Sequence, residues 1–550
     1  MDSKKRIIKL IKKYIERALL PTTILTTTRQ QLNLTPTFQC IEKQATKKIN
    51  VRYLKVLVTP LYWNGIFYFW FFSFKKIILL NNLILHHMTA PKKLNLFDST
   101  MIIMGSMIGS GIFIVSAQIS RDVQTPGLLI LAWVITAIMT IIGALCYGEL
   151  AAMMPKAGGQ YIYLKEAYNP LMGFLYGWTL FTVIQCGTIA AVGVAFAKFL
   201  GVFIPGVSAT NTVFSVGSFA VNTQQVVAIV VIVLLSLTNL RGLKTGALVQ
   251  NFFTVTKIGA LVLLILVGLV LGVTTGHGTW ANFHPAFPKV SDLSSYGLIG
   301  AAGVFGAALV GSLFSADAWN NITFTAGEVK NPQKDIPRSL IIGTGTVLLI
   351  YILVNVVYVF NLPIEQIKTA ENDRVATLLV DTIAGSSGKF IMAGLIIIST
   401  FGCINGMVLA GARVYYAMAN DGLFFPSAGK LSKNGVPANA LLFQMVWCSI
   451  LALSGTYGHL LDYVIFAVLL FYIFTIGGVF ILRKKQPNAS RPYKTWGYPV
   501  LPALYIILAI WVCISLLKYK PDYTYPGLII VLIGVPIYFV LKRSTKQVED

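Results

Sequence analysis

The stretch GSMIGSGIF, residues 105–113, sets three glycines and two serines into an uncharged and otherwise apolar run. Each glycine weakens a helix by about 0.8–1.0 kcal/mol relative to alanine. Gly105-x-x-x-Gly109 alone could be a helix-packing motif. On a helical wheel, however, the five small residues spread well beyond one packing seam. The other reading is an interrupted helix whose free N–H and C=O groups face a polar ligand, which membranes tolerate only where backbone is buried or lines a cavity. A second such stretch, GSLFSADAWNNITFTAGE (311–328), contains the carboxylate of Asp317. A carboxylate at a helix centre costs about 2.5–3.5 kcal/mol on insertion scales. Asp317 could serve as a ligand, a proton carrier or a stabiliser of the break.

Two facing breaks have a definite chemistry. A helix restarting at Gly109–Ile112 presents N–H groups and partial positive charge, suited to a carboxylate. The ends of the preceding half-helices present carbonyls, suited to an ammonium. Together they form a socket for a zwitterion such as an α-amino acid, with glycine letting the ligand reach the backbone.

The elements that must position these groups follow from composition. The chain has 550 residues, 56% hydrophobic and only 12% charged, about half the charged share of a soluble protein. Apolar runs long enough to cross a bilayer recur from about residue 97 to 542. The expected fold is an all-α polytopic membrane protein with twelve spans: 97–119, 127–155, 170–203, 224–240, 247–272, 297–327, 339–361, 386–420, 437–455, 459–484, 498–517 and 524–542. The interruptions fall in spans one and six. Paired interruptions at matching places point to inverted repeats. The expected domain is therefore 88–550, with repeats at 97–272 and 297–484 and two extra helices at 498–542.

The net charge of +24 is topological rather than a nucleic-acid footprint. Lys330, Lys334, Arg338, Lys430, Lys433, Arg483, Lys484 and Lys485 lie in loops on one side of the spans. Loops on the other side carry Asp122, Glu365, Glu371, Asp373, Asp381 and Asp462. The positive-inside rule puts both termini in the cytoplasm. Residues 1–87 hold 15 basic and 3 acidic residues. With MTAPKKLNLFD from Met88 looking like a natural start, they read as a basic, non-native leader; a membrane-surface anchor is the alternative.

No enzyme is expected. Cys40, Cys146, Cys186, Cys403, Cys448 and Cys513 form no paired spacing, the five histidines are scattered, and no nucleotide-binding, zinc-protease or serine-elbow motif occurs. Neither a metal nor a cofactor is implied.

GSMIGSGIF with FSADAWN, the run ELAAMMPKAGGQYIYLKEAYNPLMGFLYGW (149–178) and GARVYYAMANDGLFFP (411–426) together resemble the amino acid–polyamine–organocation (APC) superfamily. The nearest branch is that of the L-type amino acid transporters and their bacterial relatives, over about residues 90–545. The resemblance implies substrate contacts at Met107, Ile108, Gly109, Ser110, Gly111, Phe314, Ser315 and Asp317. The turn at 109–111 would take the carboxylate, and carbonyls of Met107, Phe314 and Asp317 the amine. It implies a closing role for the Phe314 ring. Lys257, in NFFTVTKIGAL (251–261), matches a lysine near the sodium position of cation-coupled relatives. It lies about ten residues from either span end, too far to snorkel easily. Glu149 is a candidate for gating, as is Asp421; both could instead be local ion-pair partners. Ala316 and Asp317 stand where the family is more often aromatic and variable, which bears on side-chain selectivity.

The implied function is secondary transport of amino acids, preferentially neutral L-amino acids, in the plasma or inner membrane. Sodium-independent exchange and proton-coupled uptake are both open. The alternatives are a cationic amino acid or polyamine carrier, for which Asp317 is the one available acid, and an amino acid sensor that binds without translocating. Animal L-type relatives hold a single-pass subunit through a cysteine between spans three and four. IPGVSATNTVFSVGSFAVNTQ (204–224) has none, so no heavy-chain partner is expected.

Overall fold

The computed structural model describes residues 94–217, 219–240, 243–288, 297–454 and 457–549. The expected leader, 1–87, lies outside them. Most of the described chain is helical. Leu96–Met107 (α1) and Gly111–Val123 (α2) form one apolar segment bent by 41° at the break. Pro126–Met153 (α3), Gln160–Ala167 (α4) and Pro170–Leu200 (α5) follow. Thr223–Asn239 (α6), Leu243–Thr275 (α7) and Gly297–Ser315 (α8) come next, then the short Asn321–Phe324 (α9). Pro332–Asn361 (α10), Ile364–Lys368 (α11) and Val375–Asn420 (α12) precede Ala438–Ser454 (α13), Tyr457–Lys485 (α14), Val500–Tyr519 (α15) and Pro521–Glu549 (α16).

Eight of these helices are long and apolar enough to span a membrane, and the α1–α2 pair adds another. Three shorter apolar helices stand where spans four, six and nine were expected. The chain is thus a multi-pass α-helical membrane protein.

The structure adds detail that hydropathy does not carry. The sixth segment ends as a helix at Ser315, well short of 327, because Ala318 takes a left-handed φ of 64° and the chain continues as single turns. The third segment contains a π-helical stretch, Leu180–Ile184. The eighth starts earlier than expected, at Val375, with a non-helical Gly385. A hairpin of Thr212–Val216 (β1) and Phe219–Asn222 (β2) pairs antiparallel, Val216 opposite Phe219, in the loop after α5.

Close helix contacts run through glycine. A Cβ on Gly402 of α12 would stand 2.6 Å from the Phe253 Cβ and 3.2 Å from the Lys257 Cε, both on α7. A Cβ on Gly311 of α8 would stand 3.0 Å from the Val115 Cβ on α2. These absent side chains bring α7 onto α12 and α8 onto the broken segment.

At one end of the bundle Glu149 of α3 is 1% exposed. Arg483, at the end of α14, donates to it twice, at 2.9 and 2.7 Å, and the Thr495 N–H donates at 2.7 Å. The Arg491 guanidinium lies 3.4 Å away. Arg491 also donates to the carbonyls of Leu482, Gln486, Pro487 and Ala489, closing the end of α14. Glu149 thereby holds α3, α14 and the 486–499 connection together. Removing one partner of a buried ion pair costs about 3–5 kcal/mol. Glu149→Ala is therefore expected to lower the thermal-unfolding midpoint of the detergent-purified protein. An unchanged midpoint would show that the hub does not hold this end.

Candidate functional site

The break in the first segment occupies 108–110. Ile108 leaves the helix at φ −74°, ψ 88°. Its N–H still donates to Met104, and the Gly109 N–H donates to Met107 at 2.8 Å. The sequence reading offers the carbonyls of this end to an ammonium, either that of a ligand or that of Lys257; protein side chains, Lys257 among them, take them. Lys257 Nζ, 1% exposed on α7, donates to the Gly105 carbonyl at 2.7 Å and to that of Ile108 at 2.9 Å. The Cys403 thiol of α12 donates to Ser106 at 3.2 Å, and the Ser399 hydroxyl reaches Ile108 at 3.4 Å. The Tyr351 hydroxyl of α10 donates to Met107 at 2.9 Å. Buried carbonyls without partners are rare in folded proteins, and here three neighbouring helices supply the donors.

Sequence reasoning missed Tyr351, Ser399 and Cys403. One signal was available: Tyr351, Asn355 and Tyr358 recur at helical spacing in an apolar span. All three turn toward the broken segment. Tyr358 donates to the Ile112 carbonyl at 3.2 Å, and Ser116 Oγ to Asn355 Oδ1 at 2.6 Å.

Beyond the break α2 restarts at Gly111. Ser110, its N-cap, gives no side-chain cap, so the first turn directs main-chain N–H groups into the break. The second break lies directly against it. A Cβ on Gly111 would overlap the Ser315 Oγ and stand 2.7 Å from its Cβ and 3.0 Å from its Cα. Gly109 faces α12, where a Cβ would come 3.1 Å from Cys403 Sγ.

The broken end of α8 is finished differently. Ala316 N–H donates to Ser312 and Asp317 N–H to Phe314. The carbonyls of Leu313, Ser315 and Ala316 accept no side-chain hydrogen bond among the described residues. Phe314 is buried, 7% exposed. The Asp317 carboxylate accepts from the Tyr472 hydroxyl of α14 at 2.6 Å. With Asn320, Asn321, Gln160 and Gln185 among polar residues and Leu180, Ile184, Phe324 and Val468 among apolar ones, Asp317 lines a narrow cavity of mixed character. Asn320 Nδ2 donates to Gln160 Oε1, which ties the break to α4.

The structure thus brings Met107, Ile108, Gly109, Ser110 and Gly111 together with Ser315, places Lys257 beneath the break, and sets Asp317 on the adjoining cavity. Glu149 is apart from this cluster, in the ion-paired hub. Asp421 accepts from the Tyr161 hydroxyl at 2.6 Å and from Lys165 Nζ at 2.7 Å.

Comparison with known proteins agrees with this architecture. The amino acid permease family profile matches residues 94–539. The serine/threonine exchanger SteT of Bacillus subtilis (strain 168) is 30% identical over 456 residues, 82% of this chain and 97% of its own. The human large neutral amino acids transporter small subunit 2 is 29% identical over 451 residues, 82% of this chain and 80% of its own. The human b(0,+)-type amino acid transporter 1 is 28% identical over 452 residues, 82% and 88% respectively.

The packing of Gly111 on Ser315 generates a direct test. Gly111→Val is expected to reduce transport more than tenfold at normal membrane expression, whereas Gly111→Ala combined with Ser315→Gly should recover part of it. Normal uptake by Gly111→Val would remove the breaks from the mechanism.

Proposed function

The chain belongs to the amino acid permease family of the APC superfamily, and from that premise we propose that it exchanges neutral L-amino acids across a cell membrane without sodium. It transports amino acids, as its family does. The observation that carries the finer reading is the apposition of the α2 start with the α8 break at Gly111 and Ser315. A carboxylate at 109–111 would meet N–H groups and the positive end of the α2 dipole. The ammonium would meet carbonyls of the α8 break near Phe314 and Asp317. Met107, whose carbonyl already accepts from Tyr351 and Gly109, would share it. Recognition through the backbone suits a range of side chains sharing one head group, with Phe314 closing over it.

Exchange is supported by the name of the bacterial relative, and neutral side chains by that of the large neutral amino acids transporter. The distribution of basic residues supports cytoplasmic termini. A loop without cysteine between α5 and α6 supports work without a heavy chain. The reading of two five-helix repeats rests on the matching breaks.

Lys257 supports the independence from sodium. Its ammonium places a fixed positive charge on the carbonyls freed by the break. The same charge ties the first half of the broken helix to α7, which makes it part of the gate.

A second reading has its own observation. Asp317 lines the cavity and accepts from the Tyr472 hydroxyl, so a cationic side chain would find a carboxylate there. Competition against labelled substrate in liposomes containing the purified chain alone decides between the two. Neutral amino acids are expected to compete and to drive counter-flow, while their amides and esters fail. Stronger competition by lysine or arginine, lost in Asp317→Asn, would favour the cationic reading. Binding without counter-flow would mark a sensor.

Lys257→Ala leaves two buried carbonyls without the ammonium, at about 1–3 kcal/mol each. Transport is expected to fall more than tenfold in that variant while substrate still binds. Sodium-dependent uptake by the unmodified chain would contradict the assignment.

A further inference from the structure

The connection between α14 and α15, residues 486–499, is fixed from within and charged without. From Arg491 to Trp496 more buried residues alternate with exposed ones. Thr495 is buried, with its N–H on Glu149. Tyr493 packs on Gly148, where a Cβ would stand 3.0 Å from the ring. Arg491 is bound to four carbonyls of the preceding turn, and the Arg483 guanidinium lies 3.7 Å from the centre of the Tyr498 ring. The residues between, Lys494 and Trp496, are exposed, Trp496 at 75%. Because Arg491 folds the loop back on the end of α14, exposed Lys484 belongs to the same surface. Lys485 is engaged with the Ala167 carbonyl beside the exposed Glu166 and is left out. The acid at the centre of the loop, Glu149, is buried and already paired with arginine.

The apolar neighbours show what this surface meets. Val500, Leu504, Ile507 and Ile514 are exposed along one stripe of α15, as expected for a membrane helix facing acyl chains. Trp496 is exposed in the turn that leads into that helix, the level at which an indole sits among headgroups. A tryptophan and a lysine on the fixed loop, a second lysine at the end of α14 and an exposed apolar stripe on α15 match an amphiphile with an anionic head. We propose that Lys484, Lys494 and Trp496 form a binding site for an anionic phospholipid of the surrounding bilayer. The lysines pair with the phosphodiester, the indole lies at the glycerol level, and the acyl chains run down α15. The inference is independent of which amino acid is carried.

The test uses the full purified chain. Native mass spectrometry after incubation with phosphatidylglycerol or phosphatidylcholine should show preferential retention of the anionic lipid. Near a membrane surface each lysine contributes about fivefold in affinity, so Lys484→Gln with Lys494→Gln should abolish the preference. In vesicles, brominated phosphatidylglycerol should quench the Trp496 share of the emission, read as the difference from Trp496→Phe, more than brominated phosphatidylcholine does. Equal retention of both lipids, an unchanged preference in the double variant, or equal quenching by both brominated lipids would overturn the site. The quenching comparison needs no lysine variant and holds if the double variant fails to fold.

Discussion

A helix interrupted in the middle of a bilayer has no water with which to satisfy the carbonyls it frees, and this constraint organises the protein around 105–108. An unsatisfied buried carbonyl costs about 1–3 kcal/mol, so four of them would consume most of the stability of an ordinary domain. Here Gly105, Ser106, Met107 and Ile108 are met by donors from α7, α10 and α12. The donors reach them because the facing surfaces are thin. Glycine at 105, 402 and 406 leaves room that the Gln250, Phe253 and Lys257 side chains of α7 fill. The break and the packing of its neighbours are therefore one feature.

The two breaks differ in how they are completed, and on the proposed reading that difference gives the socket its polarity. The first is saturated by protein donors, one of them a full positive charge. The second keeps carbonyls to which no side chain donates among the described residues. A zwitterion between them meets N–H groups at the start of α2 and carbonyls at the end of α8. Lysine suits the first break because one ammonium carries three donors at the end of a flexible stem. Two of these donors reach carbonyls three residues apart, Gly105 and Ile108.

What could be read from the sequence follows from expense. Glycines, serines, an aspartate and a lysine inside apolar runs are each unfavourable there, so GSMIGSGIF, Asp317 and Lys257 stand out without coordinates. Partners that are ordinary in a span do not. Ser399 and Cys403 are common enough among apolar residues that nothing local marks them as donors to the break, and Tyr351 is marked only by its helical spacing with Asn355 and Tyr358. The Glu149 hub joins residues 334 positions apart, beyond the reach of any local pattern. The early end of α8 depends on a left-handed Ala318, a conformation alanine seldom adopts and a sequence pattern does not announce. Hydropathy likewise passes over α4 and the hairpin, which carry no spanning signal.

Charge is distributed unequally between the two ends of the bundle. Chain topology puts the Glu149 hub, the Arg413–Glu328 pair at 2.5 Å and the Lys165–Asp421 pair at one end. Arg413 and Glu328 are only 6% and 14% exposed, and the neighbouring backbone is pinned by a bridge between Leu94 and Val329. The other end is held by Asp373, shared between Arg121 and Lys198, with Arg121 44% exposed. An exposed pair contributes about 0–1 kcal/mol, whereas removing one partner of a buried pair costs about 3–5 kcal/mol. On the proposed reading, the exchange cycle has more buried ion pairing to break at the Glu149 end. The first half of the broken helix, α1, leads from that end to Lys257. Lys257 thus holds α1 at the break, and the Arg413–Glu328 pair lies beside the Leu94–Val329 bridge where the chain enters the bundle.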